Sequence, residues 1–373
     1  MLQKRKRDSL KSEDVVDTSK PTAVFKPTTG RTHTLSIALP GSIIANCQTH
    51  DQKTSLAAQV ARAAAVFCVD EIIIFNDGQS HSVQRRPTPG GRDFQAEDER
   101  SGYTGFNNPD DFLYHVLSYL ETPPHLRKLL FPMHPNLRTA GAMPSLDMPH
   151  HMKANEWCMY REGVTVAGSG SNQRFSTKPS SDQGTLVECG LPAYARISAP
   201  IDPNTRVTVK FASPEEPFMD EQTTLEAEAV APDLPREEAG YYWGYSCRMA
   251  SSLSAVFTES PYDGGYDLSL GTSERGISVS ALTNAGRAAE ETKVSPVPND
   301  WRHMVLVFGG VAGLEVAFKA DQELLSTGVT DVKDVFDYWV NLVPDQGSRT
   351  IRTEEAVWLG LMATRPIVTD RSS

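Results

Sequence analysis

The chain has 373 residues, 39% hydrophobic and 22% charged, which supplies ample core material and is long enough for two domains. Its formal net charge of −11 excludes broad electrostatic attachment to nucleic acid, so any RNA site must be a local basic patch. No apolar run is long enough to span a membrane or read as a signal peptide, and five widely spaced cysteines argue against zinc or a disulfide framework. A reducing compartment inside the cell, nucleus or cytoplasm, is expected.

Residues 1–32 are polar and predict a disordered leader, whose Lys4–Arg7 cluster fits an import signal, an RNA-contacting arm or a solvated tail. The fold is expected to begin at Thr34, where Leu35-Ser36-Ile37-Ala38-Leu39 alternates as a strand and Pro40-Gly41-Ser42 turns. Leu56, Val60, Ala64 and Phe67 follow at helical spacing, and Glu71-Ile72-Ile73-Ile74-Phe75 is a β-branched run suited to a strand buried on both faces. Together they form a βαβ unit. The stretch 76–105, rich in Gly, Pro, Arg and Glu, predicts a mobile loop; helices are expected over Asp110–Leu120 and His125–Phe131.

From Trp157 to Val230 the pattern changes to short segments: Val164–Val166, Thr185–Cys189, Ala193–Ile197, Thr205–Phe211 and Leu225–Val230, the strand count of an OB-type barrel. The α/β rhythm resumes with strands at Tyr241–Cys247, Tyr266–Leu270, Met304–Phe308 and Val335–Val343, a helix at Leu253–Phe257 and a closing helix at Thr353–Ala363. This predicts an α/β domain (33–152 and 238–373) split by a β-barrel insertion (153–237).

Three glycine-bearing loops are expected at the carboxyl ends of the late strands, where open α/β sheets bind ligands: Gly271–Gly276, Gly309–Glu315 and Pro344–Ala356. Glycine lets main-chain groups approach a ligand closely, as an adenine or ribose requires; the competing reading is tight turns and helix caps. Gly309-Gly310-Val311-Ala312-Gly313 lacks dinucleotide-fingerprint spacing, and no Walker lysine follows any of the loops.

Val307-Phe308-Gly309-Gly310 with Gly313-Leu314-Glu315, then Asn341 and the Pro344–Ala356 string, resemble the SPOUT-class RNA methyltransferase family of archaea and eukaryotes, whose human member is linked to centromeres and the spindle. The likeness extends to Leu35–Ser42, Gln59–Ile72, Pro149–Met152, Tyr242–Tyr245 and Gly271–Gly276. It implies a trefoil knot holding S-adenosylmethionine, an OB-like insertion that helps hold RNA, and a homodimer. Carried over by motif, the cofactor-binding residues are Thr272, Ser273, Glu274, Arg275, Gly309, Gly310, Gly313, Leu314, Glu315, Asn341, Pro344, Gln346, Gly347, Ser348, Thr350 and Ile351.

Methyl transfer needs a positioned acceptor and a destination for its proton. Arg62, Arg349 and Arg352, with Arg275, are candidates to grip phosphate or steady charge on a base, and Glu354 or Glu355 to take a proton; both glutamates equally suit a helix N-terminus. His150-His151 reads as linker rather than metal site, and Trp243 among Tyr241, Tyr242 and Tyr245 as core or base-stacking platform. A basic cleft is expected from Arg62, Lys153, Arg161, Arg196, Arg206 and Lys210. The expected activity is methylation of a nucleotide of ribosomal or other structured RNA, uridine N3 being one candidate atom; the alternative is a non-catalytic RNA-binding or mitotic scaffold. Neither metal nor membrane is expected.

Overall fold

The computed structural model describes residues 27, 29–79, 103–167, 184–219, 223–282 and 295–371. The Lys4–Arg7 cluster, most of the expected loop at 76–105 and part of the 277–300 stretch lie outside the described residues. Two compact units result: Arg31–Met148 with Tyr242–Ser373, and Pro149–Tyr241 with the segment before Arg31.

The first unit opens with β1 (Thr34–Pro40), a 3-10 turn at Gly41–Asn46, α1 (His50–Val66) and β2 (Glu71–Phe75). Thr49 caps α1: its hydroxyl accepts from the Gln52 amide while the Gln52 side chain accepts from the Thr49 amide. Helices α2 (Pro109–Glu121) and α3 (Pro124–Leu130) follow, each opened by proline.

The second unit carries β3 (Tyr160–Val166), β4 (Thr185–Glu188), β5 (Tyr194–Ile197), β6 (Arg206–Phe211) and β7 (Thr224–Val230), then α4 (Leu234–Ala239). The strands close in the order β3-β4-β5-β7-β6, antiparallel except for β5 with β7. Alternate residues point inward, so Val187, Cys189, Ala195, Ile197, Val209 and Phe211 form the barrel core.

The chain then returns to the first unit with β8 (Ser246–Ala250), α5 (Leu253–Thr258), β9 (Leu268–Ser278), β10 (His303–Val307), α6 (Leu314–Ala320), α7 (Gln322–Ser326), β11 (Tyr338–Asn341), α8 (Thr353–Ala363) and α9 (Arg365–Arg371). All pairings in its sheet are parallel, in the order β11-β9-β10-β1-β2-β8. Ile37, Leu39, Ile72, Ile74 and Leu306 enter one core, while Ala38, Ile73, Phe75, Val305 and Val307 enter the other. The uninterrupted apolar runs are therefore what a sheet covered on both faces requires. Buried Glu71 is matched by three donors: Ser36 Oγ at 2.8 Å, Arg248 Nε at 3.0 Å and Tyr266 Oη at 2.6 Å.

The sheet order doubles back between β1 and β10, so the carboxyl ends of β9, β10 and β1 frame a switch-point crevice. Three expectations change. The strand expected at Tyr241–Cys247 begins only at Ser246; Tyr242, Trp243 and Tyr245 are buried just before it, with Tyr242 Oη donating to Val69 O and Tyr245 Oη to Leu117 O, both at 3.0 Å. Those two tyrosines and Trp243 serve the core. β9 runs on to Ser278 instead of ending at Leu270, and β11 is shorter than Val335–Val343 because Val332–Val335 forms a 3-10 turn.

Candidate cofactor site

The register of β9 against β11 jumps from Trp339↔Gly271 to Val340↔Ile277, leaving 272–276 as an outward bulge where a separate loop was expected. A Cβ on Gly276 would lie 2.4 Å from Val340 C and 2.7 Å from Trp339 O, so only glycine lets the strands close beneath the bulge. Thr272 Oγ1 donates to Val307 O at 3.1 Å, and Asn341 Nδ2 to Glu274 O at 2.9 Å. The bulge is thus tied to the ends of both neighbouring strands.

After β10, Gly309–Gly313 folds back on itself. Gly310 bridges to Gly313, whose φ of 78° lies in the left-handed region, and a Cβ on Gly309 would meet Gly313 C at 2.7 Å. Leu314 buries its side chain to start α6, while Glu315 reaches the exposed Arg275 at 3.4 Å. Past β11, Gln346 Nε2 donates to Ser348 O and Ser348 Oγ to Thr350 O, curling the third loop. Pro344, Ser348, Arg349 and Thr350 are exposed, Gln346 and Ile351 half-buried. Thr353 Oγ1 donates to Gly309 O at 3.0 Å, tying this loop's exit to the second loop. The structure thereby joins the three loops to one another.

The arginines divide. Arg352 lies beside buried Glu354, Nε to Oε1 at 2.7 Å, and its own amide donates to Glu355 at 2.9 Å. Glu355 therefore does the capping work. Arg62, on α1, donates to Ser145 O and Leu146 O and lines a cavity of about 450 Å³ with Gln59, Met143 and Trp358. Among the described residues these hydrogen bonds hold Arg62 to 145–146 and not to the glycine loops. The expected basic cleft is corrected: Arg161 is wholly buried and donates to Lys153 O, Glu156 O and Cys189 O, bracing the barrel. Arg206 pairs with Glu162, Lys210 with Glu238 and Arg196 with Glu226, so their charge is largely spent locally.

Sequence reasoning missed Ser42 and Asp77, at the ends of β1 and β2. Ser42 Oγ donates to Asp77 Oδ2 at 2.6 Å, and a Cβ on Gly310 would lie 3.4 Å from each of those oxygens. Nearby Asp110, bonded by Asn76 Nδ2, has its carboxyl pushed up to about 6 by burial, with Asp77 adding to the shift. Two separated polar residues in strand-end turns leave no spacing signal. Among the described residues no three His, Cys, Asp or Glu side chains are grouped to hold a metal, and no helix is long and apolar enough to cross a membrane.

The loop set fits an adenosyl group. It offers closely approached main chain at 309–313 and 272–276, and open space at Gly347, where a Cβ would meet nothing within 4 Å. A family model described as "Putative RNA methyltransferase" matches residues 34–364. The chain belongs to this RNA methyltransferase family. Relatives within reach of it include the 28S rRNA (uridine-N(3))-methyltransferases of Homo sapiens and Mus musculus, each 41% identical over 346 residues, or 92% of this chain and 81% and 79% of theirs. The Drosophila melanogaster protein of the same name is 39% identical over 333 residues, 88% of this chain and 61% of its own length.

Proposed function

We propose that this chain is an S-adenosylmethionine-dependent enzyme that methylates N3 of a uridine in large-subunit ribosomal RNA. The observation that carries the reading is the mutual tethering of the β9 bulge and the loops after β10 and β11 in a member of an RNA methyltransferase family. The relatives named for uridine-N(3) chemistry supply the acceptor.

Bound S-adenosylmethionine supplies an electrophilic methyl carried on a sulfonium. Main-chain groups of 309–313 and 341–351, with Thr272–Arg275 as a side wall, would hold it. The chain must also steady the uracil as N3–H gives its proton to solvent water, the N3–methyl bond forms and the sulfonium leaves as a neutral thioether, with charge spread on the flanking carbonyl oxygens meanwhile. Arg352, held by Glu354, and exposed Arg349 stand on the third loop for that task, and Arg62 for a substrate phosphate. Glu354 acts here mainly as the residue that positions Arg352, since its carboxylate is already engaged.

The α/β unit is read as a SPOUT trefoil knot carrying the cofactor, and the 153–237 barrel as an OB-like RNA-holding insertion. Support comes from β11 lying outside β9 while Thr353 returns to Gly309. A homodimer through α1 and α8 is supported by Val66, Leu359 and Met362, large apolar side chains 49%, 39% and 65% exposed. A large-subunit rRNA substrate supports a nuclear, nucleolar site of action, with the cytoplasm as the alternative. Incubating the protein with methyl-labelled cofactor and separated RNA and protein fractions tests the reading: label enters rRNA, and label entering protein alone or nothing overturns it.

A further inference from the structure

We infer that Asp77, with Ser42 and Asn46, forms a site for one ammonium-sized monovalent cation beneath the second glycine loop. The site goes beyond the methyltransferase reading; of its two sources, the α-ammonium of a bound methyl donor rests on that reading and a free potassium ion does not.

A cavity of about 20 Å³ lies between the ends of β1 and β2 and the second loop, lined by Ser42, Asn46, Asp77 and Gln79 on one side and by 311–313 with Val316 on the other. It has room for one water-sized group and no more. A Cβ on Gly310 would touch Asp77 Oδ2 and Ser42 Oγ at 3.4 Å, so the loop lies directly over the pair.

The charge balance selects the occupant. A buried carboxylate needs a cation or a full set of donors. Glu71, Glu162 and Glu354, all buried, each sit on an arginine. Asp321, also buried, accepts from three main-chain amides, those of Ser254, Glu323 and Leu324. Asp77 is 7% exposed, yet it accepts from Ser42 Oγ at 2.6 Å and the Gln79 amide at 3.1 Å, and among the described residues it has no ion pair. Asp110, its carboxyl pushed up to about 6 by burial with Asp77 adding to the shift, brings further negative charge instead of relieving it. A water would leave that imbalance in place, whereas a cation removes it.

One carboxylate among neutral groups matches a single positive charge, not the two of a Ca²⁺ or Mg²⁺ ion, which take six or more oxygens. The remaining lone pairs of Asp77, a lone pair of Ser42 Oγ and the amide oxygen of Asn46 at the exposed rim are acceptors for the three N–H bonds of an ammonium. Potassium, of similar size, suits the same oxygens.

The test uses the full chain, as wild type and as Asp77→Asn, which keeps the shape and removes the charge. Calorimetry compares S-adenosylhomocysteine, which carries the α-ammonium, with methylthioadenosine, which lacks it. Thermal melts compare potassium chloride with choline chloride, whose cation exceeds the cavity, at equal ionic strength. If the donor supplies the cation, Asp77→Asn weakens S-adenosylhomocysteine about tenfold, as loss of a charge-assisted hydrogen bond implies, and leaves methylthioadenosine within about twofold. If a free ion supplies it, potassium raises the wild-type midpoint by about 2 °C or more over choline, and Asp77→Asn abolishes the rise. Should Asp77→Asn melt below wild type in choline, Asn46→Ala carries both comparisons with smaller effects. Melts blind to potassium, combined with equal losses for the two nucleosides or with none, overturn the site. Wild type that binds neither nucleoside sinks the methyl-donor reading, and the potassium melts then decide the site alone.

Discussion

Replacing Gly347 by alanine separates cofactor contact from folding. A Cβ there meets no protein atom within 4 Å, and the residue is not among the glycines with positive φ, so the folded chain accommodates the methyl without strain. The unfolded chain loses freedom, so stability is unchanged or rises by up to about 1 kcal/mol. If the adenosyl group packs against this loop, the added methyl occupies ligand volume and costs about 1–3 kcal/mol of binding, or roughly 5- to 150-fold in Kd. Gly309→Ala is the contrast: its Cβ would lie 2.7–2.9 Å from Gly313 and Leu314 main chain, so the turn itself must open and stability falls as well as binding. Calorimetry with S-adenosylmethionine and S-adenosylhomocysteine, paired with thermal melts, reads both effects. A Gly347→Ala protein that binds both nucleosides within about twofold of wild type, some 0.4 kcal/mol, refutes the third loop as part of the cradle.

Glu354→Gln keeps the shape but weakens the hold on Arg352, so transfer to rRNA should drop about tenfold or more with cofactor Kd unchanged; equal loss of cofactor binding would show a purely structural role. Arg161→Met leaves the Cys189 carbonyl and the carbonyls of Lys153 and Glu156 beside the barrel without their donor and should cost about 3 kcal/mol or more in denaturant melts, whereas less than about 1 kcal/mol would mean water replaces the guanidinium. Leu359→Glu/Met362→Glu should convert a dimer to monomer in light scattering and lower transfer; a wild type already monomeric at micromolar concentration contradicts the interface. Burial holds both His50 and His115 down at about 4, so the unfolded chain takes up protons first as pH falls. Their contribution is complete above about 6.5 and is lost between about 6.5 and 4, while Asp110, pushed up to about 6, partly opposes it by costing stability as pH rises through about 4 to 6. His115→Asn should flatten that acid-side loss in urea titrations, and an unchanged slope would show the ring protonates in place.

The parallel sheet was legible because its strands must be apolar on both faces, and Glu71–Phe75 could read as little else. The barrel was legible from regular short β segments, and its closure follows their count. The glycine loops were legible as a class, yet not in form: nothing local distinguishes a five-residue bulge within β9 from a loop after it, since the difference lies in the register with β11, a strand sixty residues on. Arg161 deceived for a related reason. A cation in an alternating strand reads as surface until tertiary packing shows carbonyls waiting for it. The Ser42–Asp77 pair was hidden because it joins two strand-end turns 35 residues apart, a spacing that carries no period.

Methylation at N3 blocks Watson–Crick pairing, so the modified uridine halts reverse transcription and can be mapped. In cells from which this protein has been removed, a stop in large-subunit rRNA should vanish, return with the wild-type chain, and return only in part with Gly347→Ala. A stop that persists without the protein, or that Gly347→Ala restores fully, contradicts the claim that these strand-end loops hold the methyl donor for uridine.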